Sequence, residues 1–284
     1  MIQSLRQIKS RIKSIQNTHK LTRAMEMISL TKMRSFQKVL PVYKKFFSKL
    51  EGMIYDLSAS FETAPHPFLR HPDKCKKAVL CIITSDTGLC GAYNHNILGK
   101  AEDFLQKSNC LKTDLITIGK KGFIYFKKKG YNVPEVYTDL HGRYSEALAD
   151  KISARLIDLF ISGECDEVYV AYTLFESASR HKPVVERFLN IEKKLGTKRE
   201  YIIEPEADAM LAELLPVYMR NKMRIILLNS FACEHSARAM AMGEATENAK
   251  EVLGNLTLFR NKVRQANITK EIIEVISSAD ALKG

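Results

Sequence analysis

The chain has 284 residues, of which 45% are apolar, and it carries a formal net charge of +12. This length and composition permit one or two domains with a hydrophobic core. The longest uninterrupted apolar run, Ala78 to Ile83, is too short to cross a membrane, and the basic amphipathic start lacks the apolar region of a secretory signal. We therefore expect a soluble protein that reaches a membrane only through a partner.

The first segment of the chain, residues 1–57, is predicted to form a long helix of a coiled coil. Its apolar residues recur at steps of three and four, with one gap at Lys32, and this spacing marks the stripe, here called the seam, that faces a partner helix. Pro41 predicts a kink or a break, because an interior proline removes a hydrogen bond. The predicted seam comprises Ile2, Leu5, Ile8, Ile12, Ile15, Leu21, Met25, Ile28, Phe36, Leu40, Tyr43, Phe47, Leu50, Ile54 and Leu57.

Most of the net positive charge lies in this first segment. Residues 1–50 hold twelve Lys or Arg and one acid, Glu26, whereas the rest of the chain is close to balance. A solvated helix face explains some of the lysines but not the near absence of acids. We expect an acidic partner here, and nucleic acid, an anionic lipid surface or acidic protein loops would each fit.

The middle of the chain, residues 74–205, is predicted to form an α/β domain after a proline-rich linker over 58–74. Strands that alternate with helices indicate a Rossmann-like layered domain with a largely parallel sheet. The predicted strands cover 78–84, 114–118, 132–137, 167–174, 184–189 and 201–203, and the predicted helices cover 93–107, 120–129 and 145–162.

The six cysteines show no C-x-x-C pair and no spacing typical of zinc ligands. We expect reduced thiols in a cytosolic compartment. Cys90 with His95 could supply a nucleophile and its base, but no third orienting group is evident, and a small buried thiol is the commoner case.

The turn from Thr84 to Gly91 follows a strand and precedes a helix, where nucleotide-binding loops occur in α/β folds. It contains neither G-x-x-x-x-G-K-[ST] nor G-x-G-x-x-G, so two glycines in a tight turn are the simpler interpretation. We identify no catalytic constellation and no cofactor or metal site.

The last segment, residues 208–282, is predicted to form a second coiled-coil helix of roughly 110 Å. We expect it to run antiparallel to the first helix, since each has an apolar stripe and a domain separates them. Its small central residues permit close approach but bury little area. The predicted seam comprises Leu228, Ala232, His235, Ala239, Met242, Thr246, Ala249, Leu253, Leu256, Arg260 and Val263.

The tip of this second helix is apolar on most of its circumference, through Ile272, Ile273, Val275 and Ile276. A helix that is apolar all round is usually buried on all sides, and we identify no remaining stretch of the chain suited to surround it. We infer that another protein covers the tip, and an apolar tail that frays without a partner is the alternative.

Three stretches together carry a resemblance to a known family. Residues 12–34, IKSIQNTHKLTRAMEMISLTKMR, residues 85–97, SDTGLCGAYNHNI, and residues 234–282, which begin EHSARAMAMGEAT, resemble the gamma subunit of F-type ATP synthase. Because the three stretches occur in the family's order, the resemblance spans the chain. This sequence departs from the family pattern at Pro216, near the start of the C-terminal helix, so the resemblance does not fix where that helix begins.

This resemblance implies a fold and a function. The fold is an antiparallel coiled coil of the terminal helices plus a central Rossmann-like α/β domain. The function is that of a central rotor shaft, which couples proton-driven rotation of the membrane ring to ATP synthesis or hydrolysis. The implied partners are three alpha and three beta subunits, the epsilon subunit and the rotor ring of the membrane sector. The chain would be a non-catalytic peripheral subunit on the cytoplasmic face of a bacterial plasma membrane, with no cofactor.

The resemblance also implies which residues contact partners. The AMEM and SARAMAM segments are implicated in coupling, and the residues before the tip face the beta subunit. The apolar tip would turn in a sleeve at the top of the ring. The implied contact residues are Met25, Arg238, Arg264, Gln265, Thr269, Glu271, Ile272 and Ile276.

Two other classes of protein remain as alternatives. A basic coiled-coil module that binds nucleic acid would fit the charge of the first helix, although residues 1–35 lack interleaved aromatic residues. An α/β enzyme with helical arms would use Cys90 or the Gly88–Gly91 turn. Steep salt dependence of duplex binding would favour the first class, and nucleotide binding by the middle domain would favour the second.

Overall fold

The computed structural model describes residues 5–59, 68, 75–108, 110–190 and 207–281. These residues belong to two compact units. Unit 1 consists of Met1–Ile28 and Ala239–Gly284, and unit 2 consists of Ser29–Arg238. The division between the units falls inside both long helices.

Two long helices dominate the described chain: α1 covers Leu5–Ala59 and α5 covers Ala207–Ala281. Pro41 lies inside α1 and Pro216 inside α5. Of the predicted kink or break at Pro41, the break is wrong, because α1 continues through this residue. An interior proline removes one backbone hydrogen bond, and burial of the neighbouring Leu40 favours a continuous helix here.

In unit 1 the two helices run antiparallel along a mixed apolar and polar seam. The Oγ1 atoms of Thr22 and Thr246 lie 2.9 Å apart, and the next turn of α1 places Glu26 beside Gly243. As numbering rises along α1 it falls along α5, which confirms the predicted antiparallel pairing. The buried side chains of this seam are Ile8, Ile12, Thr22, Ala239, Met242, Thr246 and Ala249.

The structure corrects part of the predicted seam of α1. Leu21 and Ile28 are 61% and 58% exposed, whereas their neighbours Thr22 and Ser29 are buried. The sequence prediction selected the more hydrophobic neighbour and so broke the regular steps of three and four after Ile15. On a helix the angular position decides which side chain faces the partner, and polarity does not change it.

Unit 2 contains a five-stranded sheet in the order β3-β2-β1-β4-β5. The strands are β1 (Lys77–Ile83), β2 (Lys112–Ile118), β3 (Glu135–Tyr137), β4 (Glu167–Phe175) and β5 (His181–Leu189). Only the β4–β5 pair is antiparallel, which confirms the prediction of a largely parallel sheet. The predicted strand over 201–203 lies outside the described residues.

Helices cover both faces of this sheet: α2 (Tyr93–Lys107), α3 (Lys120–Lys128) and α4 (Glu146–Ile161). Alternate residues of β1 point to opposite faces, so that Leu80 and Ile82 pack in one core cluster with Ile97 of α2 and Phe126 of α3. The other cluster combines Val79, Cys81 and Ile83 of β1 with Leu156 of α4 and Leu227 and Phe231 of α5.

Helix α5 is thus part of the core of unit 2. Every residue over 226–236 is buried, because α1 packs on one side of the helix and the sheet on the other. The aromatic pairs Phe36–Phe231 and Phe47–Tyr218 join α1 to α5, again in antiparallel order. No helix in the described part of the chain is long and apolar enough to cross a membrane.

One cysteine pair differs from the prediction of reduced thiols. Cys75 and Cys110 form a disulfide, while Cys81, Cys90, Cys165 and Cys233 are free and buried. The pairing follows from sheet register. Lys77 of β1 lies opposite Lys112 of β2, and Cys75 and Cys110 each lie two residues before these paired positions. Their separation of 35 residues in sequence gave no sign of this proximity.

Candidate functional site

The C-terminal end of α5 presents a long exposed surface. Every residue over 264–279 is exposed, although this stretch is helical throughout. It follows the paired seam positions, the last of which, Arg260 and Val263, are still half-buried. A partner therefore has access to all sides of this last part of the helix.

This exposed surface is largely apolar. Ile272 and Ile276 are 53% and 55% exposed, and adjacent isoleucine and valine side chains extend the apolar area around the helix. Exposed apolar area of this extent is typical of an interaction site, since it would be unfavourable in water. The exposed apolar residues are Ile268, Ile272, Ile273, Val275 and Ile276.

Six of the eight predicted contact residues lie on this surface: Arg264, Gln265, Thr269, Glu271, Ile272 and Ile276. Thr269 donates its hydroxyl hydrogen to the Gln265 carbonyl one turn back, at 3.0 Å. Arg264 and Gln265 lead from the seam into the apolar tip. The surface combines polar groups at its beginning with apolar groups at its end.

A second exposed apolar patch lies on the outside of α1 and was missed by the sequence analysis. Leu21, Met27 and Ile28 are each more than half exposed, whereas Met25, the seventh predicted contact residue, is half-buried. Sequence reasoning placed two of the three in the seam. The patch could have been predicted from the regular spacing of the seam. Steps of four and three from Ile15 reach His19 and Thr22, so Leu21 lies outside the seam.

Arg238, the eighth predicted contact residue, faces the inside of unit 2. It is 6% exposed, and its guanidinium donates to the carbonyl and hydroxyl oxygens of Thr87 at 3.2 and 3.1 Å. It also forms an ion pair with Glu234, at 2.8 Å between Nη2 and Oε1. Burial raises the pKa of Glu234, and the nearby positive charge of Arg238 opposes that rise. The contacts of Arg238 are therefore with its own chain.

In the turn after β1, carbonyl oxygens accept hydrogen bonds from Arg238. A phosphate-binding loop would instead present backbone N–H donors. Besides the Thr87 carbonyl, the Gly88 carbonyl accepts from Arg238 at 3.4 Å. The Ser85 amide, which a phosphate would need as a donor, is already bonded to the Asn94 side chain at 3.0 Å. This geometry does not favour the nucleotide-binding alternative.

Cys90 does not have the surroundings of an activated nucleophile. Burial raises its pKa, and its sulfur lies near Ser85 and Asn94, at 3.7 and 3.2 Å. His95, its candidate base, is exposed on α2. The alternative of a Cys90–His95 pair is not among the described contacts of this sulfur, and burial of the thiol agrees with the prediction of a small buried cysteine.

One group of residues in the described chain has the spacing of a metal site, namely Cys75, Cys110 and Glu167. Its two sulfur atoms are joined in the disulfide, and the Glu167 carboxylate accepts from the Tyr169 hydroxyl at 2.7 Å and pairs with Arg187 at 3.2 Å. With the thiolates unavailable as ligands, the group is not suited to hold a metal.

Comparison with known proteins agrees with these features. A family model described as "ATP synthase" matches residues 4–282. The chain is 38% identical over 286 residues to the ATP synthase gamma chain of Pelotomaculum thermopropionicum and 36% identical over 284 residues to that of Desulforamulus reducens. Each alignment covers 99% of this chain and 99% of the relative.

Solved structures show the same fold at low sequence identity. A chain of the Euglena gracilis mitochondrial ATP synthase, in a structure of OSCP, F1 and the c-ring, matches with a TM-score of 0.70 and 15% identity, covering 98% of this chain and 94% of the other. A chain of the Tetrahymena thermophila central stalk and c-ring structure matches with a TM-score of 0.60 and 23% identity, covering 79% and 99%. On the family model and the full-length relatives, this chain belongs to the ATP synthase gamma chain family.

Proposed function

We propose that this chain is the central rotor shaft of an F-type ATP synthase. It couples proton-driven rotation of a membrane ring to ATP synthesis, or to hydrolysis in reverse, in a catalytic ring of alpha and beta subunits. The observation that carries this proposal is the exposed apolar surface over 264–279 at the end of α5 in a chain of this family. A shaft requires such a surface, because its tip must be enclosed by another protein.

Two kinds of contact support a rotor. Contacts between α1 and α5 in unit 1 are buried, like those of Thr22 with Thr246, and they persist as the shaft turns. Contacts of the exposed surface with the ring must form and break in each turn. Residues at its start, Arg264 and Gln265, supply hydrogen bonds of moderate strength, and the tip supplies apolar contact without directional preference.

The finer assignments belong to the same proposal. The partners are three alpha and three beta subunits around the shaft, the epsilon subunit, and the rotor ring of the membrane sector. The chain itself is non-catalytic and needs no cofactor. It acts as a peripheral protein on the cytoplasmic face of a bacterial plasma membrane.

Seven predicted residues are proposed as direct partner contacts: Met25, Arg264, Gln265, Thr269, Glu271, Ile272 and Ile276. The exposed patch of Leu21, Met27 and Ile28 extends the surface around Met25. Arg238 is proposed to influence coupling from inside the chain, since its side chain is buried. The basic outer face of α1 is proposed to meet acidic loops of the beta subunit. Nucleic acid would fit the same charge, but the family of the chain favours the protein partner.

A crosslink experiment tests this proposal in a complex assembled from this chain with alpha and beta subunits. Gln265→Cys, joined by a disulfide to a facing cysteine in beta, should stop multi-site ATP turnover, and a reductant should restore it. The control joins Thr22→Cys to Thr246→Cys, whose side chains touch in unit 1. This control disulfide should leave turnover nearly unchanged.

The opposite pattern would overturn the proposal. Normal turnover with the Gln265 crosslink formed, and slow turnover with the helices tied together, would indicate helices that slide within a static subunit. ATP hydrolysis by the isolated chain, lost on substitution of Cys90, would indicate an enzyme instead.

A further inference from the structure

A group of polar contacts in unit 2, here called the joint, lies where two loops meet the long helices. The first loop, residues 84–92, follows β1, and the second, residues 138–145, follows β3. Because β1 and β3 belong to the parallel part of the sheet, both loops leave its carboxyl edge. Helix α5 contributes Glu234, His235 and Arg238 to the joint, and α1 contributes Lys32.

The second loop receives a donor from each long helix. His235 of α5 donates from Nε2 to the Gly142 carbonyl at 2.8 Å, and Lys32 of α1 donates to the His141 carbonyl at 3.3 Å. The approach is close, since a Cβ at Gly142 would lie 2.5 Å from the His235 ring and the glycine has a φ of +61°. Lys32 interrupts the apolar seam predicted for α1, and its specific contact is the hydrogen bond to the His141 carbonyl.

Asp86 connects the two loops. Its carboxylate accepts from the Lys120 amide at the start of α3, at 3.0 Å, and from the His141 amide at 2.8 Å. The next residue, Thr87, accepts two hydrogen bonds from Arg238 of α5. Removal of the Asp86 carboxylate would therefore loosen the loops that hold both helices without changing the apolar core.

Stability alone does not account for these buried charges. A buried ion pair such as Glu234–Arg238 is often replaceable by apolar residues at no loss of stability, because desolvation offsets its Coulomb energy. Apolar packing is non-directional, whereas a hydrogen bond weakens steeply as its angle departs from linearity. The joint therefore adds resistance to rotation of the helices against the sheet, which the apolar core supplies less well.

We infer that Asp86 is a positioning residue for torque transmission, holding the two loops of the joint so that the sheet and the helix pair of unit 2 turn as one body. The inference rests on the proposed rotor function. If the joint of a rotating shaft were flexible, part of each rotational step would be taken up as elastic twist at the joint. Asp86 acts through Thr87, His141 and Gly142, and it touches no catalytic site.

The test measures torsional stiffness in a complex of this chain with alpha and beta subunits. The shaft is locked to beta through Gln265→Cys, and a bead is attached to the exposed end of α2 through Lys107→Cys. In Asp86→Ala the variance of the bead angle should rise about twofold or more. Asp86→Asn keeps one acceptor oxygen, so its variance of the bead angle should lie between those of Asp86→Ala and the wild type.

Asp103→Ala is the matched control, because Asp103 is an exposed aspartate on α2 outside the joint, and it should leave the variance unchanged. Thr87→Val, which removes one acceptor of Arg238, gives a second variant in case Asp86→Ala does not fold. Equal variance in Asp86→Ala or Thr87→Val and in the wild type would overturn the inference. Failure of the unlocked wild-type complex to rotate would instead overturn the proposed function.

Discussion

At the scale of single residues, His235 shows how burial sets chemical state. Its ring stacks on Phe36, with centroids 6.0 Å apart, and donates from Nε2 to Gly142. The other ring nitrogen, Nδ1, lies 3.4 Å from Arg238 Nη1 and accepts from it. Burial, together with the positive charges of Lys32 and Arg238, lowers the pKa of His235 to about 4. The ring is therefore neutral in the folded chain near neutral pH.

This pKa predicts an acid-dependent loss of stability that His235→Gln removes. An unfolded histidine binds a proton near pH 6.5, but the folded one does so only near pH 4, so folding loses stability as pH falls through this window. Relative to His235→Gln, the wild type should lose about 2 kcal/mol of unfolding free energy between pH 7 and pH 4.5. Denaturant titration at several pH values measures this difference.

The raised pKa of Glu234 acts in the opposite direction, because folding then loses stability as pH rises, but it is common to both proteins and cancels in the comparison. His95→Gln, on the exposed face of α2, serves as the control and should follow the wild type. Parallel pH curves for the wild type and His235→Gln would show that His235 keeps its ordinary pKa in the fold.

At the scale of elements, regular spacing determines the faces of the long helices. The described seam of α1 continues through Thr22 and Ser29, while Leu21 and Ile28 point outward. Polar residues in a seam weaken it as a coiled coil, and exposed apolar residues outside it favour contact with another protein. The same helix thus has one face buried within the chain and an exposed apolar face that we propose meets another protein.

The two faces predict different costs of truncation. Ile8→Ala removes a fully buried side chain and should destabilise the helix pair of unit 1 by about 2–4 kcal/mol, because it leaves a cavity. Leu21→Ala removes an exposed one and should change stability by less than about 0.5 kcal/mol. Hydrogen exchange of α1 amides reports both changes. Equal loss of hydrogen-exchange protection in the two variants would indicate that Leu21 lies in the seam after all.

At the scale of the whole molecule, charge and apolar surface are separated along the chain. The basic residues of the first half of α1 are exposed, and the apolar surface of α5 lies at the other terminus of the sequence. Both belong to unit 1, whereas unit 2 holds the sheet and its core. We expect charge to assist association with partners and burial to maintain the fold.

Charge reversal tests this division of roles. Glutamate at five exposed positions of α1 should weaken binding to an alpha–beta assembly at least tenfold and leave the far-ultraviolet helix signal largely intact, because none of these side chains is buried. The five changed residues are Lys9, Arg11, Lys13, Lys20 and Arg23. Binding at two salt concentrations measures the effect, which should shrink as salt screens the charges.

A control reverses five exposed lysines of unit 2, namely Lys100, Lys107, Lys120, Lys121 and Lys128. It should bind the alpha–beta assembly nearly as well as the wild type does. If reversal in α1 instead unfolds the sheet of unit 2, the charges serve internal structure.

Much of this architecture could be predicted from the sequence, because periodicity and turn residues act over a few neighbouring positions. The helix Tyr93–Lys107 was predicted with its observed bounds, and the parallel β1 and β2 within two residues of theirs. The seam of α5 from Leu228 to Val263 was also predicted, since its steps of three and four are regular. The apolar tip with Ile272 and Ile276 was predicted separately, from apolar residues around most of the helix circumference.

Other features depended on contacts between residues far apart in the sequence. The Cys75–Cys110 disulfide follows from strand register, and the inward direction of Arg238 follows from the turn at Thr87, 151 residues away. The continuation of α1 through Pro41 is likewise seen only in the structure. Local sequence determines which elements form and which faces are apolar. Only the tertiary structure decides which distant groups meet, because that depends on how all the elements pack together.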